Sequence, residues 1–185
     1  MTNGPVRIET AIGDLTDERT DAIVNAANSA LVRGGGVCGA IFAKAGTELD
    51  AACAALGSCP TGEARLTPAF GIPIRGIIHA VGPRYGAEGG REEMLLASAW
   101  RNSLAVADDT GFASIAFPSL STGIYGFPLE RAVRIVGETL AEYLRYRSGH
   151  PGSLQTIRIV LRDAATKASY DRAIEDASGR TEGAE

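Results

Sequence analysis

The chain has 185 residues, 45% of them hydrophobic and 22% charged, the balance of a globular domain long enough to bury its own core. Its formal net charge of −4 argues against broad nucleic-acid binding, which relies on clustered Lys and Arg. There is no apolar run near the ~20 residues of a membrane span and no secretory-leader pattern, and the three cysteines, Cys38, Cys53 and Cys59, form no CxxC, so a cytoplasmic, reduced protein without disulfides or a metal site is expected.

Taken in chain order, short β-branched runs alternate with longer helical patterns. Strands are predicted at Val6 to Thr10, Ala22 to Ala26, Ala64 to Pro68, Gly76 to Val81, Ser114 to Pro118 and Thr156 to Leu161. Helices are predicted at Val37 to Ala45, Thr47 to Leu56, Glu92 to Asp109, Pro128 to Arg147 and Ala165 to Ala177. Leu129, Val133, Val136, Leu140 and Leu144 recur at steps of three or four, and Pro128 suits a first helical turn. Leu96, Trp100 and Leu104 mark a similar stripe. Tyr85 to Arg91 reads as an exposed loop, and Ser178 to Glu185 as a loose tail after a domain spanning 1–177. The alternation implies an α/β layered domain around a mostly buried sheet.

Two loops look built for an anion. Gly34-Gly35-Gly36-Val37-Cys38-Gly39 formally matches G-x-G-x-x-G. In a dinucleotide-binding turn the glycines follow the strand directly, whereas here Ala27 to Arg33 intervene, and no strand ending in an acidic residue follows about twenty positions later. That leaves the oxidoreductase reading weak. The physics of the motif survives it: glycines admit a ligand to the backbone, and a helix start at Val37 offers unpaired N–H donors. The second loop, Ser119-Leu120-Ser121-Thr122-Gly123-Ile124-Tyr125-Gly126-Phe127, follows an apolar strand and precedes the Pro128 helix. Its hydroxyls and glycines suit a pyrophosphate without a lysine. Both loops sit at strand ends, which points to a shared crevice. GxxxxGK[ST] and G-x-S-x-G are absent, so neither a Walker-type ATPase nor an α/β-hydrolase is indicated.

Gly13-Asp14-Leu15-Thr16, Ile23-Val24-Asn25-Ala26-Ala27-Asn28, the Gly34, Gly35, Gly36 run, and Ser121 through Pro128 together resemble a macrodomain in order and spacing, over about Val6 to Asp176. The MacroD-type branch, whose members bind ADP-ribose and remove it from modified proteins, is the nearest resemblance. It implies a three-layer α/β/α fold with a central mixed sheet of about six strands. It implies ADP-ribose and mono-ADP-ribosylated proteins as partners, and no cofactor. By the same resemblance Asp14 accepts the adenine amino group with the Leu15 backbone nearby, and Arg162 stacks on adenine. Asn28 holds the distal ribose beside Gly34, Gly35 and Gly36, and Asn25 and Val37 are ligand-binding residues with them. Ser121, Thr122, Gly123, Ile124 and Tyr125 wrap the pyrophosphate, and Gly126 leads to Phe127 packing on that ribose.

Hydrolases of this branch usually carry an aspartate ten residues after the motif asparagine and often a histidine four beyond it; here those positions are Cys38 and Phe42. An ester of ADP-ribose with Glu or Asp leaves as a carboxylate of pKa about 4 and needs little proton assistance. Asn28 and the Gly35 backbone could hold the ribose while the substrate's pyrophosphate orients water. An arginine-linked N-glycoside would need an acid, so ester-linked substrates are expected. Cys38, near a helix start that lowers thiol pKa, is either a base or nucleophile, or a small buried filler. Phe42 and His79 read as packing, and His150 as surface. The alternatives are a non-catalytic ADP-ribose reader and an O-acetyl-ADP-ribose deacetylase using the same pocket.

Overall fold

The computed structural model describes residues 5–182, with side chains through residue 177. Six strands form one sheet: β1 (Arg7–Ile12), β2 (Ala22–Ala26), β3 (Ala64–Thr67), β4 (Gly76–Ala80), β5 (Ser114–Phe117) and β6 (Thr156–Leu161). Their order is β1-β6-β5-β2-β4-β3; β3 runs antiparallel to β4 and every other pairing is parallel. The expected mixed six-stranded sheet is therefore present.

Helices cover both faces, which is why β2 is buried along its length rather than on alternate residues. On one side α3 (Glu92–Thr110), α4 (Leu129–Gly149) and α5 (Ala164–Glu182) pack over Val24, Ile78, Ile115, Phe117, Ile157 and Ile159. Trp100 of α3 stacks on Phe117 of β5 with ring centroids 3.9 Å apart and planes 10° from parallel. On the other side α1 (Gly36–Ala45) and α2 (Thr47–Leu56) cover Ile23, Ile77, Ala116 and Val160. Residues adjacent along a strand thus feed opposite cores, as the two-residue period of a strand requires.

Several boundaries differ from the sequence reading by a residue or more, and three have a clear cause or consequence. β1 lies further along, because its pairing with β6 continues to Ile12 opposite Leu161 even though Ile12 is exposed. Pro128 caps α4 from outside, with ψ of 125°. α5 runs to Glu182, so the tail expected from Ser178 is helical in its first five residues; residues 183–185 lie outside the described residues. No helix among the described residues is long and apolar enough to cross a membrane.

The parallel strands point the same way. Their carboxyl ends therefore deliver Gly13-Asp14, Arg162, the 119–127 loop, Asn28 and Gly82 to one edge of the sheet, in that spatial order. This is where open α/β sheets form their ligand crevices.

Candidate functional site

A cleft of about 540 Å³ opens along this edge. At the β1–β6 end its wall includes Gly13, Leu15, Arg162, Asp163 and Thr166. Asp14 starts a 3-10 turn at Leu15–Asp17 by accepting hydrogen bonds from the Thr16 N–H and Thr16 hydroxyl, both at 2.8 Å. Those bonds, with smaller help from the Arg162 and Lys44 charges, hold its carboxyl below the usual carboxylate range. Lys44 of α1 fastens the same turn by donating to the Thr16 carbonyl at 2.7 Å and to Asp17 at 2.6 Å. Asp14 is exposed beside the cleft, whose wall its neighbours Gly13 and Leu15 form.

In the middle lies the loop after β5. Its curl is set by hydrogen bonds from Phe127 N–H to the Ser121 carbonyl (3.0 Å) and from Gly126 N–H to the Gly123 carbonyl (2.9 Å). Gly126 and Ser121 take positive φ, 67° and 66°; for serine that is a strained backbone of the kind found at ligand sites. Ser119 links the loop to α5 through the Tyr170 hydroxyl at 2.8 Å and accepts from the Thr122 hydroxyl at 2.7 Å. Among the described residues, the N–H groups of Thr122, Gly123, Ile124 and Tyr125 have no protein acceptor. The buried Ser121 hydroxyl is likewise without a partner. Orphaned donors along one wall of a cleft form an anion cradle.

Opposite them stand glycines 34–36 and the start of α1, whose first-turn N–H groups add to the same positive end. The two walls nearly meet, since a Cβ placed on Gly35 would lie 3.0 Å from Ile124 Cδ1. Ile124 itself is 73% exposed, a side chain hanging over the opening.

At the β2–β4 end the cleft is lined by Asn28, Cys38, Gly82 and Arg84. Asn28 donates through Nδ2 to the Val32 carbonyl (2.8 Å) and accepts from the Val32 N–H (3.2 Å), closing a turn in which Leu31 adopts φ of 54°. Cys38, 4% exposed, donates its thiol to the Val32 carbonyl at 3.8 Å and receives Asn25 Nδ2 at 3.7 Å. Among the described residues, no carboxylate or imidazole is bonded to its sulfur.

Below this floor runs a buried polar string centred on His79, which reads as packing from the sequence. Asn25 Nδ2 lies 3.1 Å from His79 Nδ1, and His79 Nε2 lies 2.9 Å from Thr67 Oγ1 and 3.7 Å from Cys53 Sγ. Burial pushes His79 down to about 4, so the imidazole is neutral at pH 7. An amide NH₂ only donates; Nδ1 is therefore the acceptor, and Nε2–H donates to Thr67.

Most of the expected site residues converge here: Leu15, Asn28, Gly34, Gly35, Gly36, Val37, Cys38, Ser121, Thr122, Gly123, Ile124, Tyr125 and Arg162 all line the cleft. Four do not line it: Asp14, Asn25, Gly126 and Phe127. Asn25 is fully buried and bonded to His79 beneath the floor. Phe127 is 2% exposed and packs edge-on against Tyr85, with centroids 5.2 Å apart, behind the loop. Gly126 shapes the loop without lining the cleft. The sequence reading missed Gly82 and Arg84, although the apolar run before them ends at the same sheet edge as β2. Among the described residues, no three His, Cys, Asp or Glu side chains are grouped to hold a metal ion.

A crevice with a backbone anion cradle at its centre and glycine-rich access at one end defines a domain for a small, extended, anionic ligand. Known proteins narrow the class. The sequence model of the Macro domain family matches residues 24–136. A macro domain-containing protein of Ralstonia nicotianae is 48% identical over 166 residues, covering 89% of this chain and 92% of its own. A protein of Citrobacter rodentium named O-acetyl-ADP-ribose deacetylase is 42% identical over 170 residues, 90% of this chain and 94% of its own. A point mutant of the Oceanobacillus iheyensis macrodomain, solved with ADPR, superposes with a TM-score of 0.87 at 34% identity, covering 97% of each chain. The chain belongs to the macrodomain family.

Proposed function

We propose that this macrodomain binds ADP-ribose and hydrolyses its carboxylate esters, releasing mono-ADP-ribose from Glu and Asp side chains of modified proteins in the cytoplasm. The supporting observation is the order of groups along the sheet edge. Asp14 and Arg162 stand at one end, the cradle of residues 121–125 at the centre, and Asn28 with glycines 34–36 at the other. That order matches adenine, pyrophosphate and distal ribose.

The chemistry follows from what the distal end holds. Its lining residues include no carboxylate or histidine. An acyl ester at the anomeric carbon leaves as a carboxylate of pKa about 4, so the reaction proceeds through an oxocarbenium-like state without a strong acid. What the site supplies is position: the loops fix the ribose and enclose a water that the substrate's own pyrophosphate orients. Cys38, its thiol turned to the Val32 carbonyl within the apolar floor, acts as filler. A second reading, O-acetyl-ADP-ribose deacetylation, uses the same pocket and is favoured by the name of the Citrobacter rodentium relative.

The test is release of free ADP-ribose from a glutamate-modified protein, run beside acetate release from O-acetyl-ADP-ribose. Gly35→Glu, which sets a carboxylate into the cradle where Ile124 already crowds the backbone, should abolish both. No release above buffer from protein that binds ADP-ribose calorimetrically would leave a reader module as the better account.

A further inference from the structure

Two cationic side chains line the cleft, Arg84 and Arg162. Arg162 follows β6 and Arg84 follows the β4 run, with β5 and β2 between them in the sheet. Three strand spacings of ~4.8 Å put about 14 Å between those two strands. Arg162 acts electrostatically on Asp14, at the adenine end. Arg84 is the cation of the opposite end. Its guanidinium lies over the Tyr125 ring, 5.2 Å from the centroid, and no carboxylate among the described residues pairs with it. The lining carboxylate, Asp163, sits beside Arg162 and is occupied by the Thr166 N–H at 2.8 Å and the Thr166 hydroxyl at 2.9 Å. Tyr125 is anchored in turn, its carbonyl accepting the Tyr85 N–H at 2.9 Å. An unpaired guanidinium seated over an aromatic ring is placed to receive a carboxylate through two parallel hydrogen bonds.

Building on the ester-hydrolase reading, we propose that Arg84 is a catalytic residue that receives the leaving carboxylate. The bond between the anomeric carbon and the ester oxygen breaks with its electron pair passing to that oxygen. The oxygen of water bonds to the anomeric carbon, and the surplus proton goes to solvent. The products are ADP-ribose and the free carboxylate, whose developing charge Arg84 meets. The same cation repels a guanidinium leaving group, which makes Arg84 a specificity determinant against arginine-linked substrates.

The experiment compares wild type, Arg84→Lys and Arg84→Met in hydrolysis of a glutamate-linked ADP-ribose, with ADP-ribose affinity by calorimetry. Arg84 is an exposed loop residue, so both variants should fold. Expected are a fall in kcat of about 10²-fold for Arg84→Met, the size found on deleting one stabilising donor, partial recovery in Arg84→Lys, and ADP-ribose affinity within about threefold of wild type in both. Arg84→Met turning over at the wild-type rate overturns this role and leaves the ester-hydrolase reading intact. A parallel loss of ADP-ribose affinity also overturns it, since Arg84 would then be a ligand-binding residue. Absence of turnover by the wild type overturns the ester-hydrolase reading and this role with it.

Discussion

Gly82 faces Ser121 so closely that a Cβ at position 82 would overlap the Ser121 hydroxyl oxygen. Ser121 already carries a φ of 66° and a buried hydroxyl without a protein partner. A side chain at position 82 therefore requires the Ser121 hydroxyl to move. Gly82→Ala is expected to push Ser121 outward and weaken ADP-ribose binding at least tenfold in calorimetry. Ser121→Gly is expected to relieve backbone strain of order 1 kcal/mol and raise the melting temperature by a few degrees. An unchanged affinity in Gly82→Ala would show that the cradle does not depend on this contact.

Cys38 occupies the position where hydrolases of this branch usually carry an aspartate, and the site around it can take one. Asn25 Nδ2 approaches its sulfur at 3.7 Å, and it lies in the first turn of α1, whose N-terminus favours an anion. Cys38→Asp is expected to raise the hydrolysis rate tenfold or more, within the range that a positioned acid or base contributes. The same change buries a carboxylate in an apolar floor, so it should lower stability by about 1–3 kcal/mol. Cys38→Ala should stay within threefold of the wild-type rate. A large loss in Cys38→Ala would make the thiol a catalyst after all, and single-turnover rates for the three proteins decide the matter.

Much of this architecture could be read from residues alone, and what could not has a physical reason. β2 at Ala22–Ala26 and β6 at Thr156–Leu161 coincide with their apolar runs because both are buried on the two faces. The end of α5 could not be read: its last turns are polar, so local pattern does not say where the helix stops. At the site, the glycine runs announced their backbone role. Arg84 did not, because its significance comes from Tyr125 lying beneath it, a contact between distant segments. Phe127 misled for the same reason. An aromatic after a glycine loop suits a ribose equally well, and only the position of Tyr85 turns it into the core. His79 looked like packing in an apolar strand, yet Thr67 on the neighbouring strand and Asn25 on the other make it a hydrogen-bonded node.

The pole opposite the cleft offers a control in which stability and binding separate. Asp108 accepts hydrogen bonds from Arg147 at 2.8 Å, from the Tyr143 hydroxyl at 2.7 Å, and from the N–H groups of Ser153 and Leu154 at 2.8 and 2.9 Å. The Arg147 side chain is 7% exposed, so removing its counter-charge strands a buried cation. Asp108→Asn should cost about 3–5 kcal/mol, which for a domain of this size lowers the melting temperature by roughly 10 °C. ADP-ribose affinity, measured well below that transition, should not move. A coupled loss of affinity would mean that the α3–α4 layer transmits to the cleft.

His79 gives the fold a pH dependence of predictable sign. Its imidazole is pushed down to about 4 by burial, against an ordinary value of 6.5. Between those two pH values the unfolded chain binds a proton that the folded chain does not. Stability therefore rises with pH across this window, at up to about 1.4 kcal/mol per pH unit. The contribution is complete above pH 6.5 and is lost as pH falls toward 4, a loss on the order of 3 kcal/mol. The neighbouring Cys53, raised to about 11 by burial, stays a thiol throughout and adds nothing to the slope. His79→Gln removes the titration while keeping an amide able to meet Asn25 or Thr67. It should be less stable than wild type at pH 7 and lose less on acidification, so that the two urea-unfolding free energies converge toward pH 4.5. Carboxylates titrate alike in both proteins, and the difference between the two curves isolates the imidazole. Parallel curves would mean that the His79 ring gains a proton inside the fold as readily as outside it, and the neutral Asn25–His79–Thr67 string would have to be abandoned.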